Sequence, residues 1–302
     1  MDLKEFALIV FTVLAQLSVG LLTVGLIVRA YAGKKFNAQQ VSALLDLPTY
    51  AVLPIMVLAM LASLLHLGNL LHVIGAVPNL GTSWMSREVV MAVVYIGLVI
   101  VYTFLYWRKM GSEELRTFFG WLAALEGVAF IYSMGMTYMI PAQPAMNTFA
   151  TPIMFYVATA LLGVLGFATF LMSAFSKIGK SDAALQGFVT KILQTIGVCA
   201  IVLVGIEFLV IPFYMGYLST QGGAALKSLD MMVGTYGFVF GLRLVLVFAG
   251  AGVLAAYLYR NASMSAGLKS LPTFVYSAFL LVLLGELLAR FLFYATSVRI
   301  GI

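Results

Sequence analysis

The chain has 302 residues, of which 63% are hydrophobic and only 9% charged, and its formal net charge is +6. An apolar excess of this size excludes a water-soluble domain and makes lipid the main solvent. The positive balance, 17 basic against 11 acidic residues, reports orientation in a membrane rather than a nucleic-acid partner.

In chain order, eight apolar segments are long enough to cross a bilayer: 6–28, 48–71, 86–107, 117–140, 149–175, 190–212, 234–259 and 271–295. A hydrocarbon core about 30 Å thick needs roughly 20 apolar residues in a helix that rises about 1.5 Å per residue. The strands of an outer-membrane barrel would instead alternate polar and apolar over about 10 residues, and these runs do not alternate. The predicted fold class is therefore all-α integral membrane, with eight transmembrane helices in a single domain over residues 1–302. The first span is uncharged from Phe6 to Val28 and lacks a small-x-small cleavage pattern after it, so it is expected to be retained rather than removed as a signal peptide.

Basic residues set the orientation. The loops after spans one, three, five and seven hold eleven of them: Arg29, Lys34, Lys35, Arg108, Lys109, Arg116, Lys177, Lys180, Lys191, Arg260 and Lys269. The other side holds four, Lys4, Arg87, Lys227 and Arg299, while Arg243 and Arg290 lie within spans. Basic loops stay cytoplasmic, which predicts both termini on the outer, periplasmic side.

Cys199 is the single cysteine, so neither an internal disulfide nor a Cys-ligated iron–sulfur cluster can form within this chain. No Walker or Rossmann fingerprint is present. The longest polar connections, 29–46 and 213–233, read as loops. Gly234, Gly237 and Gly241 put small residues on one face of span seven, a signal of close helix packing in lipid.

Chemistry must be sought among polar groups at membrane depth, where ionisable residues are costly. Ser63, His66 and Asn69, spaced by three near the end of span two, form one polar stripe, with Gly68 between the last two. His72 lies about 120° round from His66. After a turn through Pro78, Asn79 and Gly81, span three opens with Ser86, Arg87 and Glu88, which brings a second titratable group to the same membrane surface. A histidine can take a proton from a hydroquinone or donate to a quinone carbonyl, and a nearby carboxylate can relay it. The structural alternatives are an interfacial histidine bonded to a backbone carbonyl and an acid that complements the helix dipole. Glu286 and Arg290 have the favoured i,i+4 order for a neutralising pair, with pocket lining the lesser reading. Glu126, Glu207 and Arg243 either pair between helices or line a proton path.

Several segments resemble one family. The stretch LASLLHLGN followed by Ser86-Arg87-Glu88, the closing GELLARFLFY from Gly285 to Tyr294, the opening LIVFTVLAQLSVG from Leu8 to Gly20 and the Thr151-Pro152 start of span five are similar to the membrane anchor subunit of dimethyl sulfoxide reductase-type respiratory molybdoenzymes. The resemblance runs from span one to span eight. It departs at span one, where Phe6-Ala7 stands in place of the family's Trp-Pro, and at His72, where the family has a basic residue. It implies a bacterial cytoplasmic-membrane subunit that oxidises menaquinol and holds no haem or iron–sulfur cluster itself. Its implied partners are a ferredoxin-like iron–sulfur electron-transfer subunit and a molybdopterin catalytic subunit. His66 and Glu88 take the positions associated with the quinol site, with Ser63, Gly68, Asn69, His72 and Arg87 around them.

Three alternatives compete. A haem b anchor would want histidines on facing helices, whereas both histidines here lie in span two. A polysulfide-reductase-type anchor is haem-free and does similar chemistry. A secondary transporter would show repeat symmetry and helices broken at mid-membrane; Pro54 and Pro212 could break helices, but no matching halves are visible.

Overall fold

The computed structural model describes residues 3–67, 75, 77–178, 182–260 and 270–301. Among these, regular structure is helical, and eight helices are long and apolar enough to cross a membrane. They are α1 (Leu3–Ala32), α2 (Ala38–Leu67), α3 (Trp84–Trp107), α4 (Glu113–Thr137), α5 (Ala150–Ile178), α6 (Ala183–Gln221), α8 (Gly237–Arg260) and α9 (Leu271–Ala295); the short α7 (Gly223–Asp230) and a π-helical turn (Met231–Thr235) lie between α6 and α8.

Helix starts follow local chemistry. The Ser83 hydroxyl accepts from the Ser86 N–H at the head of α3, Ser112 accepts from Leu115 at α4, and Asp182 accepts from Ala184 and Leu185 at α6. Each satisfies a backbone donor that the first helical turn leaves free.

The predicted spans and the helices agree closely except at α2 and α6. The helix α2 begins at Ala38, ten residues before the expected span 48–71, so most of the segment expected as a 29–46 loop is helical, and Pro48 and Pro54 both lie inside it. The expected span 190–212 is part of a 39-residue helix, roughly 58 Å long at about 1.5 Å per residue, longer than a bilayer core about 30 Å thick requires. Pro212 lies inside it, and the segment expected as a 213–233 loop is mostly helical. Proline removes one backbone donor, a loss that membrane helices tolerate where neighbours re-satisfy the freed carbonyl. The helix stops at Gly222, whose φ of 65° falls in the region that favours glycine.

The helices α1 and α5 are the interior of the bundle. Their apolar windows are 72% and 67% buried, against which the remaining helices pack one face. Gly20 and Gly163 let the two backbones touch, since a Cβ on Gly163 would lie 2.5 Å from the Gly20 Cα. Polar side chains tie this interior together where lipid offers no partner. The Gln16 amide donates to the Phe155 carbonyl at 3.0 Å and its oxygen accepts from Arg290 at 3.3 Å, which joins α1, α5 and α9. Ser18 donates to the Val52 carbonyl and shares a hydrogen bond with the Tyr95 hydroxyl, which joins α1, α2 and α3.

The expected glycine seam of span seven is corrected. Gly234, Gly237 and Gly241 have no neighbour within 4 Å of a Cβ position, whereas Gly250 and Gly285 close the contact between α8 and α9. The packed face of α8 runs through Arg243, Val247, Ala251, Leu254 and Leu258, all buried. Gly241 lies about 200° round the helix from Arg243 at 100° per residue and so faces away.

Candidate functional site

One end of the bundle carries both described chain ends. There the last turn of α2, the first turns of α3, the end of α4 and the segment after α9 surround a cavity of about 840 Å³, within the range of sites for drug-sized ligands. Its inner wall is apolar, built from Leu8 and Phe11 of α1, Met60 and Leu64 of α2, and Val89 and Ala92 of α3. Its polar groups are few: Ser63, Glu88, Thr137, Tyr138, Gln143 and Tyr294, with Glu5, Ser297 and Arg299 toward the mouth. The residues after α9 are strapped over the α4–α5 connection, where the Ile300 N–H donates to the Ala142 carbonyl at 2.9 Å and Ser297 contacts Gln143.

Ser63 and Glu88 are thus brought together on one cavity. Glu88 is buried and lines the cavity together with Thr137, whose hydroxyl donates to the Ser133 carbonyl at 2.9 Å. It sits in the second turn of α3, after Ser83 and the opening residues Trp84 to Arg87, so capping of the helix dipole does not account for its placement. Arg87 is turned elsewhere. Its guanidinium donates to the carbonyls of Leu80 at 2.8 Å and Gly81 at 2.9 Å and lies over the Trp84 ring at 4.3 Å, which fixes the approach to α3 and leaves the cavity wall to Glu88. His66 falls in the last turn of α2, three residues after Ser63; its side chain lies outside the described residues, as do Gly68, Asn69 and His72 altogether. Among the described residues, no three His, Cys, Asp or Glu side chains converge as metal ligands would.

Tyr138 and Tyr294 are additions from the fold, absent from the sequence-based candidates. Their hydroxyls share a 2.8 Å hydrogen bond across the cavity wall, and both lie in the electrostatic field of Glu88. Tyr294 follows Glu286 and Arg290 at successive i+4 positions on α9, a polar stripe that the spacing already contained.

The deeper charges separate into two arrangements. Arg243 of α8 is ion-paired to Glu207 of α6, the interhelical alternative. Glu286 and Arg290, expected to neutralise each other, form no direct ion pair. The Arg290 guanidinium instead stacks 3.7 Å from the Phe155 ring centroid and bonds Gln16, while Glu286 faces Arg243 and Arg290. Both line a second, smaller cavity of about 100 Å³. Stacking on Phe155 desolvates the guanidinium in a way that a neighbouring carboxylate on the same helix face does not. At the other end of the bundle, Arg29 bonds Asp46 at 2.9 Å and Thr49 at 3.1 Å and lies over Tyr106.

Comparison with known proteins agrees with this architecture. The model of the DMSO reductase anchor subunit (DmsC) family matches residues 1–296. The sequence is 26% identical over 304 residues to the C subunit of the anaerobic dimethyl sulfoxide reductase of Escherichia coli (strain K12), covering 98% of this chain and 96% of the relative. It is 25% identical over 300 residues to the corresponding C subunit of Haemophilus influenzae, covering 99% and 97%. It is also 26% identical to the YnfH subunit of an anaerobic dimethyl sulfoxide reductase of Escherichia coli (strain K12), covering 98% and 96%. A multi-pass membrane protein with these matches along its length belongs to the dimethyl sulfoxide reductase anchor subunit family.

Proposed function

We propose that this chain oxidises menaquinol in the 840 Å³ cavity and passes the electrons to an iron–sulfur subunit that feeds a molybdopterin reductase. The observation that carries the reading is the meeting of Ser63 from α2 and the buried Glu88 carboxyl from α3 in a wide, mostly apolar cavity at the end of the bundle. A quinol is a flat apolar ring with two polar ends, and it needs such a cleft with a few convergent hydrogen-bonding groups. His66, one helical turn beyond Ser63, is assigned as proton acceptor and Glu88 as proton exit. Oxidation releases two electrons and two protons; by the distribution of basic loops, the protons leave on the outer face while the electrons continue to the partner.

The test uses the assembled complex. His66→Leu keeps an apolar volume and removes the titratable group, and loss of a general base typically costs about 10²–10⁴ in rate. Quinol-dependent turnover should collapse, while turnover from a dye that reduces the partner subunits directly should survive. Parental quinol oxidation in a fully assembled His66→Leu complex would overturn the assignment.

A further inference from the structure

The quinol reading uses only the larger cavity. The smaller one lies between α5, α6, α8 and α9 and is faced by Arg243, Glu286, Arg290 and Tyr214. Around it, four buried polar atoms have no hydrogen-bonding partner: Glu207 Oε2, Arg243 Nε, Glu286 Oε1 and Arg290 Nε. An unsatisfied buried group costs about 1–3 kcal/mol, more when charged, and in the hydrocarbon region bulk water cannot relieve it. A cavity of about 100 Å³ has room for several waters, at roughly 10–15 Å³ each, among the polar partners that they require. The backbone beside it is also unusual. The π-helical turn Met231–Thr235 delivers Met232 to the cavity, and such turns are frequent at functional sites.

The two cavities share a wall. Phe155 and Phe293 form its apolar part, with Arg290 lying over both rings on the side of the smaller cavity. Tyr138 and Tyr294 form its polar part on the side of the larger one, and each interacts electrostatically with both Glu88 and Arg290. We propose that the smaller cavity is a water-filled proton-acceptor site, with Glu286 as its terminal base and the hydrogen-bonded Tyr138–Tyr294 pair as its link to the quinol cavity.

This inference rests on the quinol reading, and its balance is that of quinol oxidation. Two electrons leave one at a time to the partner's iron–sulfur cluster. One quinol O–H gives its proton toward Glu88. The second O–H breaks as an O–H forms on Tyr138, whose own proton passes to Tyr294. The proton of Tyr294 passes through water to the Glu286 carboxylate, so both tyrosines end neutral and the hydroquinone becomes a quinone. After the quinone departs, the same relay returns the proton to the mouth of the larger cavity. The charged and titratable groups that face Glu286 are Arg243 from α8, Arg290 from its own helix, the Glu207 paired to Arg243, and Tyr214 from α6.

The experiment uses the assembled complex carrying Glu286→Gln or Tyr294→Phe, with Glu88→Gln as reference. Both test variants should oxidise menaquinol about 10²-fold more slowly, the lower end of the range for a lost proton-transfer group, with a larger solvent deuterium isotope effect and unchanged dye-driven turnover. The infrared difference spectrum on quinol oxidation should contain a protonated-carboxyl band that Glu286→Gln removes. Parental rates and isotope effects in both variants, together with an unaltered carboxyl band, overturn the proton branch. If Glu88→Gln is then slow, only the branch falls; if it too is parental, the quinol site falls with it. Should Glu286→Gln fail to assemble, Tyr294→Phe decides, because it keeps the ring packing and loses only the hydroxyl.

Discussion

Gly20 of α1 and Gly163 of α5 meet with no side chain between them: a Cβ on Gly20 would fall 2.1 Å from the Thr159 carbonyl oxygen and 2.7 Å from the Gly163 Cα. These are backbone atoms of the two most buried spans, so neither neighbour can swing away. Lipid supplies no hydrophobic drive between helices, and the contact depends on this close approach. Gly163→Val should therefore separate the central pair and destabilise the subunit by at least the about 1–3 kcal/mol of an overpacked core. Gly241→Ala, on a helix face with no neighbour within 4 Å, should be neutral. Thermal aggregation of the two variants in detergent checks this, and equal stability would remove the central role given to the α1–α5 crossing.

The ion pair between Glu207 and Arg243 is buried, with 1% and 8% of the two side chains exposed. Removing one partner of such a pair typically costs about 3–5 kcal/mol, because a charge is left uncompensated, whereas replacing both by apolar groups is often neutral. Glu286 also faces Arg243 and should hold the cost of Glu207→Gln near the lower figure. The expected order of thermal stability is parent and Glu207→Leu/Arg243→Met together, then Glu207→Gln alone. A single variant as stable as the double one would show that the pair does not act as a unit.

The spans were legible because membrane helices are selected by length and composition, and α9 occupies the expected 271–295 to the residue. The outer turns of α6 were not, since Pro212 and the mixed polarity of 213–233 read locally as a loop. Their order depends on distant contacts: Tyr214 donates to the Ala145 carbonyl, and Leu218 is buried against Ala145 and Ala225. Glu88 was legible as an ionisable group at membrane depth. Tyr138, Thr137 and Gln143 were not, because they reach the cavity from the α4 terminus and the connection after it, where an isolated tyrosine or glutamine resembles an interfacial residue. Arg87 and Glu88 are adjacent in sequence, yet about 100° of helix rotation sends one to the loop carbonyls and the other to the cavity.

The side of the membrane that the cavity faces is open to direct measurement. Eleven basic residues lie in the loops assigned to the cytoplasm and four on the opposite side, and orientation follows the Lys and Arg count of short loops rather than their net charge. The Asp46 partner of Arg29 therefore does not cancel that residue's contribution. Reporter fusions after Gly33 and Lys109 should be active as cytoplasmic fusions, and a fusion after Leu80, in the connection between α2 and α3, should be active as an external one. Because Glu88 follows Leu80 by eight residues and the mouth residues Glu5 and Arg299 lie at the same end of the bundle, an external Leu80 places proton release outside. A cytoplasmic Leu80 would invert the bundle and send the protons of quinol oxidation inward.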